Sequence, residues 1–373
     1  MNEYSSNINF IDLKSQKDRI RLLLDAAIAK VLDHGQFIMG PEVKELEFKL
    51  QQFTGAKFSL TCANGTDALT LALMALNLKS NDVVFVPSFT YVATAEAPAQ
   101  LGLIPYMVDV CPMTFNISID SLKDSIHKAK KEGLSYKAVI IVDLFGQPAD
   151  FQKISDIASE ENLKVIIDAA QSFGGSIQGK KVGSMGDITT TSFFPAKPLG
   201  CFGDGGAVFT NDEELSSIIN SLRLHGKGNE KYDNVRIGLN SRLDTIQAAV
   251  LLEKLKIFPD ELKKRQWAAD SYAKALIDYD LELPVIADGM TSAWAQFTIK
   301  TGDREFFKNK LHENGIPTGI YYPKPLHEQS GYNHFPQAKD LDASKELSTN
   351  VLSLPMHPYL QESYFSRLEE ILG

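Results

Sequence analysis

Cysteine is scarce. The 373 residues hold three, Cys62, Cys111 and Cys201, far apart and without the spacing of a metal or redox motif, so they read as reduced thiols. The seven histidines are scattered too, and no metal site is indicated. No apolar run approaches the length of a membrane span. Met1 to Asn9 is polar and lacks the core of a signal peptide, which leads us to expect a cytoplasmic protein. Lysine and arginine form no block and the formal net charge is −9, which argues against nucleic acid or a membrane surface as partner. No Gly-x-Gly-x-x-Gly follows the first strand, so a dinucleotide-binding reading fails. Internal repeats and low-complexity tracts are missing as well. What is left is an ordinary globular composition, 44% hydrophobic and 23% charged, in a chain long enough for a large and a small domain.

Apolar positions at helical spacing run from Asp18 to His34, with Gly35 as the stop, and Pro41 opens a second helix that ends before Gly55. From there short apolar strands alternate with amphipathic helices. The strands are Phe58 to Cys62, Val83 to Val86, Pro105 to Val108, Ala138 to Val142 and Val165 to Ile167. The helices are Thr66 to Leu76, Thr90 to Gln100, Asp120 to Lys131 and Asp150 to Glu161. Strands that are apolar throughout need cover on both faces, so the pattern predicts an α/β domain with a mostly parallel central sheet.

After two more β-prone runs, Ile188 to Phe194 and Ala207 to Thr210, comes a helix from Glu213 to Leu222 and a polar segment from His225 to Asn240. Two long helical patterns follow, Leu243 to Ile257 and Glu261 to Ile277, and the character of the chain changes around Pro259. Strand Trp294 to Ile299, helix Arg304 to Asn314, strand Pro317 to Tyr322 and helix Ser363 to Leu372 read as a smaller α+β domain, which divides the chain into 1–257 and 258–373. Pro323 to Pro336 reads as a loop, and long loops in compact domains are often functional.

The loop between Phe194 and Ala207 holds Lys197 between Pro195 and Pro198, followed by Gly200, Gly203, Gly205 and Gly206. The prolines keep the lysine out of a helix, and the glycines let backbone come close to a bound group. Lys197 is either a solvated surface lysine or an amine held in a partly dry loop. Burial would lower its pKa and free its lone pair for Schiff-base chemistry.

Four polar clusters stand where α/β sheets bind ligands, at strand ends and helix starts. Asn64-Gly65-Thr66-Asp67 joins a strand to a helix and offers either a plain cap by Thr66 or a phosphate cradle, two uses that are compatible. Asp168 ends the most apolar strand, where a carboxylate needs a partner. That partner is an arginine or backbone N–H, or the protonated ring nitrogen of a pyridoxal cofactor. Tyr91 either packs in the core or stacks on a flat heterocycle. Asn240-Ser241-Arg242-Leu243-Asp244 begins a helix, with Asn240 and Arg242 either capping and solvated or reaching anionic groups. A Schiff-base lysine, a ring-nitrogen carboxylate, a stacking aromatic and a phosphate cradle together point to pyridoxal 5'-phosphate.

These residues also carry a resemblance. The chain resembles the DegT/DnrJ/StrS-type nucleotide-sugar aminotransferases, pyridoxal-phosphate enzymes of fold type I, nearly end to end. The likeness lies in Gly35 to Val43, Asn64 to Leu69, Asp143 to Pro148, Asp168 to Gln171, the Lys197 loop, Asn240 to Asp244 with Gln247-Ala248-Ala249, and Tyr322-Pro323. It implies that Lys197 forms the Schiff base with the cofactor and Asp168 pairs with its ring nitrogen. Gln171 would lie near the ring hydroxyl and Tyr91 on the ring face. Gly65, Thr66 and Ser192 would hold the phosphate, helped by Asn240 from the second subunit of a homodimer.

The resemblance further implies L-glutamate as amino donor and a nucleotide-linked keto sugar as acceptor. A relative with histidine in place of the lysine dehydrates instead. Pro195 to Gly200 with Asp204-Gly205-Gly206 looks most like enzymes that aminate C3 of UDP- or dTDP-linked 3-keto sugars, among them the UDP-2-acetamido-3-keto-hexuronate aminotransferases of O-antigen synthesis. Tyr321-Tyr322 stands where many relatives have His-Tyr, a departure that bears on which sugar is taken. Arg242, Tyr321, Tyr322 and His327 are candidates for sugar or donor contacts, and His225 is either a loop residue or part of the site. The rival readings are a C4 sugar aminotransferase, a dehydratase-like lyase, a desulfurase using Cys201, and a non-catalytic regulator that keeps the cofactor fold.

Overall fold

A computed structural model describes residues 8–230 and 232–372, so most of the polar stretch Met1 to Asn9 lies outside the described residues. Three helices lead in, α1 (Leu13–Arg19), α2 (Arg21–His34) and α3 (Pro41–Thr54). The single helix expected from Asp18 to His34 is broken at Ile20, whose φ of −122° and ψ of 19° are not helical. That turn buries Ile20 with Leu24 against Val250.

Nine strands follow: β1 (Phe58–Cys62), β2 (Val83–Pro87), β3 (Ile104–Val108), β4 (Tyr136–Val142), β5 (Lys164–Asp168), β6 (Ser176–Ile177), β7 (Lys180–Lys181), β8 (Ile188–Ser192) and β9 (Gly206–Thr210). Between and after them run α4 (Gly65–Ala75), α5 (Ala93–Gln100), α6 (Ile119–Lys131), α7 (Phe151–Glu160) and α8 (Glu213–Leu222). Seven strands form one sheet in the order β1-β9-β8-β5-β4-β2-β3. Only β9 runs against the rest, pairing antiparallel with both β1 and β8. The mostly parallel α/β sheet read from the apolar strands is therefore the observed one.

Alternation along the strands explains the layers. Val84, Val86, Ile140 and Ile166 face α4, α5 and α8 on one side. Val83, Phe85, Val139, Ile141, Val165 and Ile167 face α6 and α7 on the other. Both faces are buried, as strands without polar alternation require.

The second half departs further from local expectation. The two patterns around Pro259 form one helix, α9 (Thr245–Ala275). Proline removes one N–H from the helix ladder, but Leu251, Leu252 and Phe258 up to the break, and Ala268, Ala269 and Tyr272 beyond it, are all buried, so tertiary packing holds the helix straight through. The division expected at 257/258 falls inside α9. Residues from beyond that point, Leu326, Leu341, Leu347 and Val351, also pack into the core of the large sheet.

The carboxyl-terminal part contains β10 (Met290–Thr291), β11 (Phe297–Lys300), α10 (Arg304–Glu313), α11 (Asp342–Asn350), β12 (Val351–Leu354) and α12 (Glu362–Leu372). The strand expected at Pro317 to Tyr322 is not formed, and only Gly319 bridges Ser353 there. The partner of β11 is β12 instead, and β10 pairs with β6 of the first half. Among the described residues no helix is long and apolar enough to cross a membrane, and no group of three or more His, Cys, Asp or Glu is placed to hold a metal ion.

Candidate active site

The carboxyl ends of β1, β5 and β8 meet where β9 begins. Gly206, the first residue of β9, pairs with Cys62 on one side and Ser192 on the other. A Cβ there would stand 2.5 Å from the Asn64 carbonyl oxygen, and a Cβ on Gly65 would stand 2.7 Å from the Ser192 Cβ. These two glycines let the β1–α4 turn close onto Ser192. Asn64, not Thr66, caps α4, its side chain accepting from the Asp67 N–H at 2.7 Å. An extended residue directly before the helix is the better-placed cap, and this leaves Thr66 inside the first turn with its side chain on the cavity. Two buried side chains, Ser241 and Arg223, brace the turn from behind. The Ser241 Oγ accepts from the Ala63 N–H at 3.2 Å, and the Arg223 guanidinium donates to the Thr61 carbonyl at 2.7 Å and to Glu47 at 2.5 Å.

This end of the sheet opens into a cavity of about 720 Å³ lined by Gly65, Thr66 and Ser192 on one side, Asp168, Gln171 and Lys197 at its floor, and Tyr91, Tyr321 and Tyr322 along another wall. Burial pushes the Asp168 carboxyl above the usual carboxylate range, opposed by a hydrogen bond from the Ala170 N–H at 3.0 Å and by the nearby Lys197 charge. Burial likewise pushes the Lys197 amine below the lysine range, opposed by Asp168. A lysine so placed holds its lone pair nearer to neutral pH than a solvated one does.

Gln171 is buried and tied at both ends. Its Oε1 accepts from the Phe145 N–H at 2.5 Å and its Nε2 donates to the Tyr322 hydroxyl at 3.4 Å. Phe145 adopts a left-handed φ of 60° to present that N–H. Behind it the Asp143 carboxyl accepts from the Ala149 N–H at 2.8 Å and the Ser172 hydroxyl at 2.6 Å, and burial pushes it up to about 7. Tyr322 has its phenol well above the ordinary tyrosine range because of burial, so it acts as a neutral hydroxyl. Tyr91 is 56% exposed, with its ring centroid 6.3 Å from that of Tyr322. Its placement leaves a ring available for stacking rather than packed in the core.

Four candidate residues are not part of this cavity within one chain. His327 is buried, and its Nδ1 shares a 2.6 Å hydrogen bond with the Ser88 hydroxyl. Asn240 is exposed and Arg242 half-buried, and neither lines the cavity of its own chain. His225 takes a left-handed φ of 61° and lies off the cavity as well. Conversely, Asp204 and Gln296 line it and were not singled out from sequence. Asp204 sits in the Lys197 loop, where its proximity could have been inferred. Gln296 precedes β11 in a stretch read only as strand, and nothing local marks it.

The polar atoms facing the cavity fit pyridoxal phosphate. Asp168 leaves its Oδ2 without a hydrogen bond among the described residues, as a carboxylate awaiting a ring N–H would. The N–H groups of Gly65 and Thr66 at the start of α4 likewise have no partner there, beside the Ser192 hydroxyl. Lys197 completes the set.

An aminotransferase dependent on pyridoxal phosphate is the class that this fold and this lysine–carboxylate arrangement define. The model of the DegT/DnrJ/EryC1/StrS aminotransferase family matches residues 19–372, and the chain belongs to that family. Among curated relatives, a UDP-2-acetamido-2-deoxy-3-oxo-D-glucuronate aminotransferase of Pseudomonas aeruginosa is 47% identical over 95% of this chain and 96% of its own. A UDP-N-acetyl-3-dehydro-alpha-D-glucosamine 3-aminotransferase of Acidithiobacillus ferrooxidans is 39% identical over 98% of this chain and 97% of its own. Among solved structures, a DegT/DnrJ/EryC1/StrS aminotransferase of Brucella abortus superposes with a TM-score of 0.96 at 49% identity, covering 98% of both chains. A Bacillus subtilis protein solved with bound pyridoxamine phosphate superposes at 0.88 with 30% identity, covering 100% of this chain and 86% of that one.

Proposed function

We propose that the protein moves an amino group from L-glutamate to C3 of a UDP- or dTDP-linked 3-keto sugar, in the synthesis of a surface polysaccharide such as O-antigen. The observation that carries the reading is the cavity floor, where Lys197 and Asp168 lie close enough for each to oppose the other's shift, within a family whose similar members are named for 3-keto sugars.

Pyridoxal phosphate, when bound, supplies the electron sink that makes a carbon next to nitrogen acidic. The rest is work for the chain. Lys197 Nζ, with its pKa lowered by burial, would serve as nucleophile and then as the base that moves a proton from the donor α-carbon to the cofactor's C4′ carbon. Asp168 Oδ2 would hold the ring N–H and keep it protonated. Gly65, Thr66 and Ser192 would hold the phosphate, and Tyr91 would stack on the ring. Gln171, fixed by Phe145 and donating to the Tyr322 phenol, would lie near the ring hydroxyl.

Lys197 is the only lysine, arginine or histidine lining this cavity among the described residues, so the anionic donor and nucleotide need cations from elsewhere. In our reading Asn240 and Arg242 enter from a second copy in a homodimer, and the enzyme works in the cytoplasm. Tyr321 occupies the cavity wall beside Tyr322 and contacts the sugar.

The test is direct. The purified protein is incubated with glutamate and, separately, with UDP- and dTDP-linked 3-keto and 4-keto sugars, and the amine position of each product is read by NMR. Amination at C3 supports the reading; amination at C4 alone, or no transfer to any of them, contradicts it.

A further inference from the structure

The loop that carries Lys197 closes on itself at its base. The Phe193 N–H donates to the Gly205 carbonyl at 2.7 Å and the Cys201 N–H to the Phe193 carbonyl at 2.8 Å. The Lys197 N–H reaches back to the Phe194 carbonyl at 2.9 Å. The turn is tight at Gly200, where a Cβ would stand 2.5 Å from the Phe194 carbonyl oxygen. Backbone bonds within the loop do not tie it to the rest of the fold. Two side chains of α9 do.

Gln247 Oε1 accepts from the Phe202 N–H at 2.8 Å. Two helical turns on, on the same face, Lys254 Nζ donates to the Gly200 carbonyl at 2.6 Å. Lys254 is 1% exposed and its ammonium lies 4.4 Å from the Phe202 ring centroid. Among the described residues it has no carboxylate within ion-pair distance; Glu261 acts on it only from further away, and burial pushes it down to about 8. A buried ammonium without an ion pair is a costly group, and a methionine of similar length would fill the space without that cost. What methionine cannot supply is a donor to the carbonyl three residues after Lys197.

We propose that Lys254 is a positioning residue for Lys197. By holding the Gly200 carbonyl against α9, it sets where the Lys197 amine stands over the cavity floor. It touches neither substrate nor cofactor, and acts through the loop. The inference rests on the reading of Lys197 as the cofactor-bearing lysine.

The experiment compares the wild-type enzyme with Lys254→Met and Lys254→Arg at limiting pyridoxal phosphate. Each is reduced with borohydride, and the fraction of chain with cofactor bound to Lys197 is measured by mass spectrometry, beside kcat, KM and the melting temperature of the cofactor-free protein. The methionine variant is expected to lose trapped cofactor and to fall about tenfold or more in kcat, as misplacing a reacting group does, while KM for glutamate and sugar stays within about twofold. The arginine variant, which keeps a charged donor, restores most of both.

A methionine variant with wild-type trapping and kcat overturns the proposal, whatever its melting temperature. So does an arginine variant that folds but traps no better than methionine, and this arm decides the matter if the methionine variant does not fold. Absence of trapped cofactor in the wild-type protein would instead sink the reading of Lys197 itself.

Discussion

The cavity floor and the packing around the second half of α9 both bury polar groups, and they treat them in opposite ways. At the floor, among the described residues, Asp168 keeps an oxygen without a partner, the first N–H groups of α4 are free, and the buried Gln296 Oε1, on the cavity wall, has no hydrogen-bond partner. Around α9 most polar groups are spent on one another, the Arg265 Nε being left without a partner among the described residues. Arg265 donates to the carbonyls of Trp294 at 2.9 Å and Met356 at 3.2 Å. The Tyr272 hydroxyl bonds the Pro355 carbonyl at 2.7 Å and contacts the Tyr364 hydroxyl at 2.6 Å. Glu261 accepts from Gln16 at 2.9 Å and from the Tyr359 hydroxyl at 2.5 Å. Groups bonded to the protein itself specify a fold, whereas several groups left open at one cavity wall await a ligand.

The comparison breaks most sharply at Lys197. Replacing it by Ala should remove the yellow colour and lower turnover by at least about a thousandfold, with little loss of melting temperature. Its burial disfavours the charged amine, so the fold does not depend on it. Arg265→Ala should do the reverse. It leaves two buried carbonyls without a donor and opens a void, costing about 3 kcal/mol in urea denaturation, while folded protein keeps its cofactor spectrum.

Tyr322→Phe removes the hydroxyl at the end of the Gln171 arm. That contact is long, 3.4 Å, so a fall of only about two- to fivefold in kcat is expected, with stability unchanged.

The smallest effect concerns pH, and here the two regions should tilt in opposite directions. Asp143, behind the cavity floor, is raised from 3.8 to about 7. Its contribution to stability is fully present below its unfolded pKa and is lost as pH rises through about 7. His357, packed beside Arg265, is lowered from 6.5 to about 4, so its contribution is present above 6.5 and is lost as pH falls through about 4. Asp143→Asn should flatten the decline of melting temperature on the neutral side. His357→Gln should flatten it on the acid side. Identical pH profiles for the two variants would show that neither burial matters as described.

How far the sequence could be read follows the same divide. The runs Val83 to Val86, Ala138 to Val142 and Val165 to Ile167 inside β2, β4 and β5 are apolar because both faces are covered, and that pattern is visible without coordinates. Lys197, Asp168 and the Asn64 turn stood out because their surroundings were incongruous: a lysine between prolines, a carboxylate ending an apolar strand, a glycine at a helix start. What escaped depended on distant partners. Pro259 ends a helix by local rules, and only burial on both sides of it keeps α9 whole. Val351–Leu354 becomes a strand by pairing with β11, whereas Pro317 to Tyr322, equally strand-like, bends past with a single bridge. Gln296 reaches the cavity because the Ala293 N–H and its own N–H are tied to the carbonyls of Gly146 and Phe145, far away in the chain. His327 misled in the opposite sense, since a histidine in a proline-bearing loop looks accessible and is in fact bound to Ser88.

The central claim is that Lys197, and no other lysine, carries the cofactor at the floor of this cavity. Borohydride reduction of the purified holoenzyme followed by peptide mapping tests it most directly. A pyridoxyl adduct is expected on the peptide containing Lys197 and on no other. An adduct on a different lysine, or none on a protein that transfers amino groups, would contradict it.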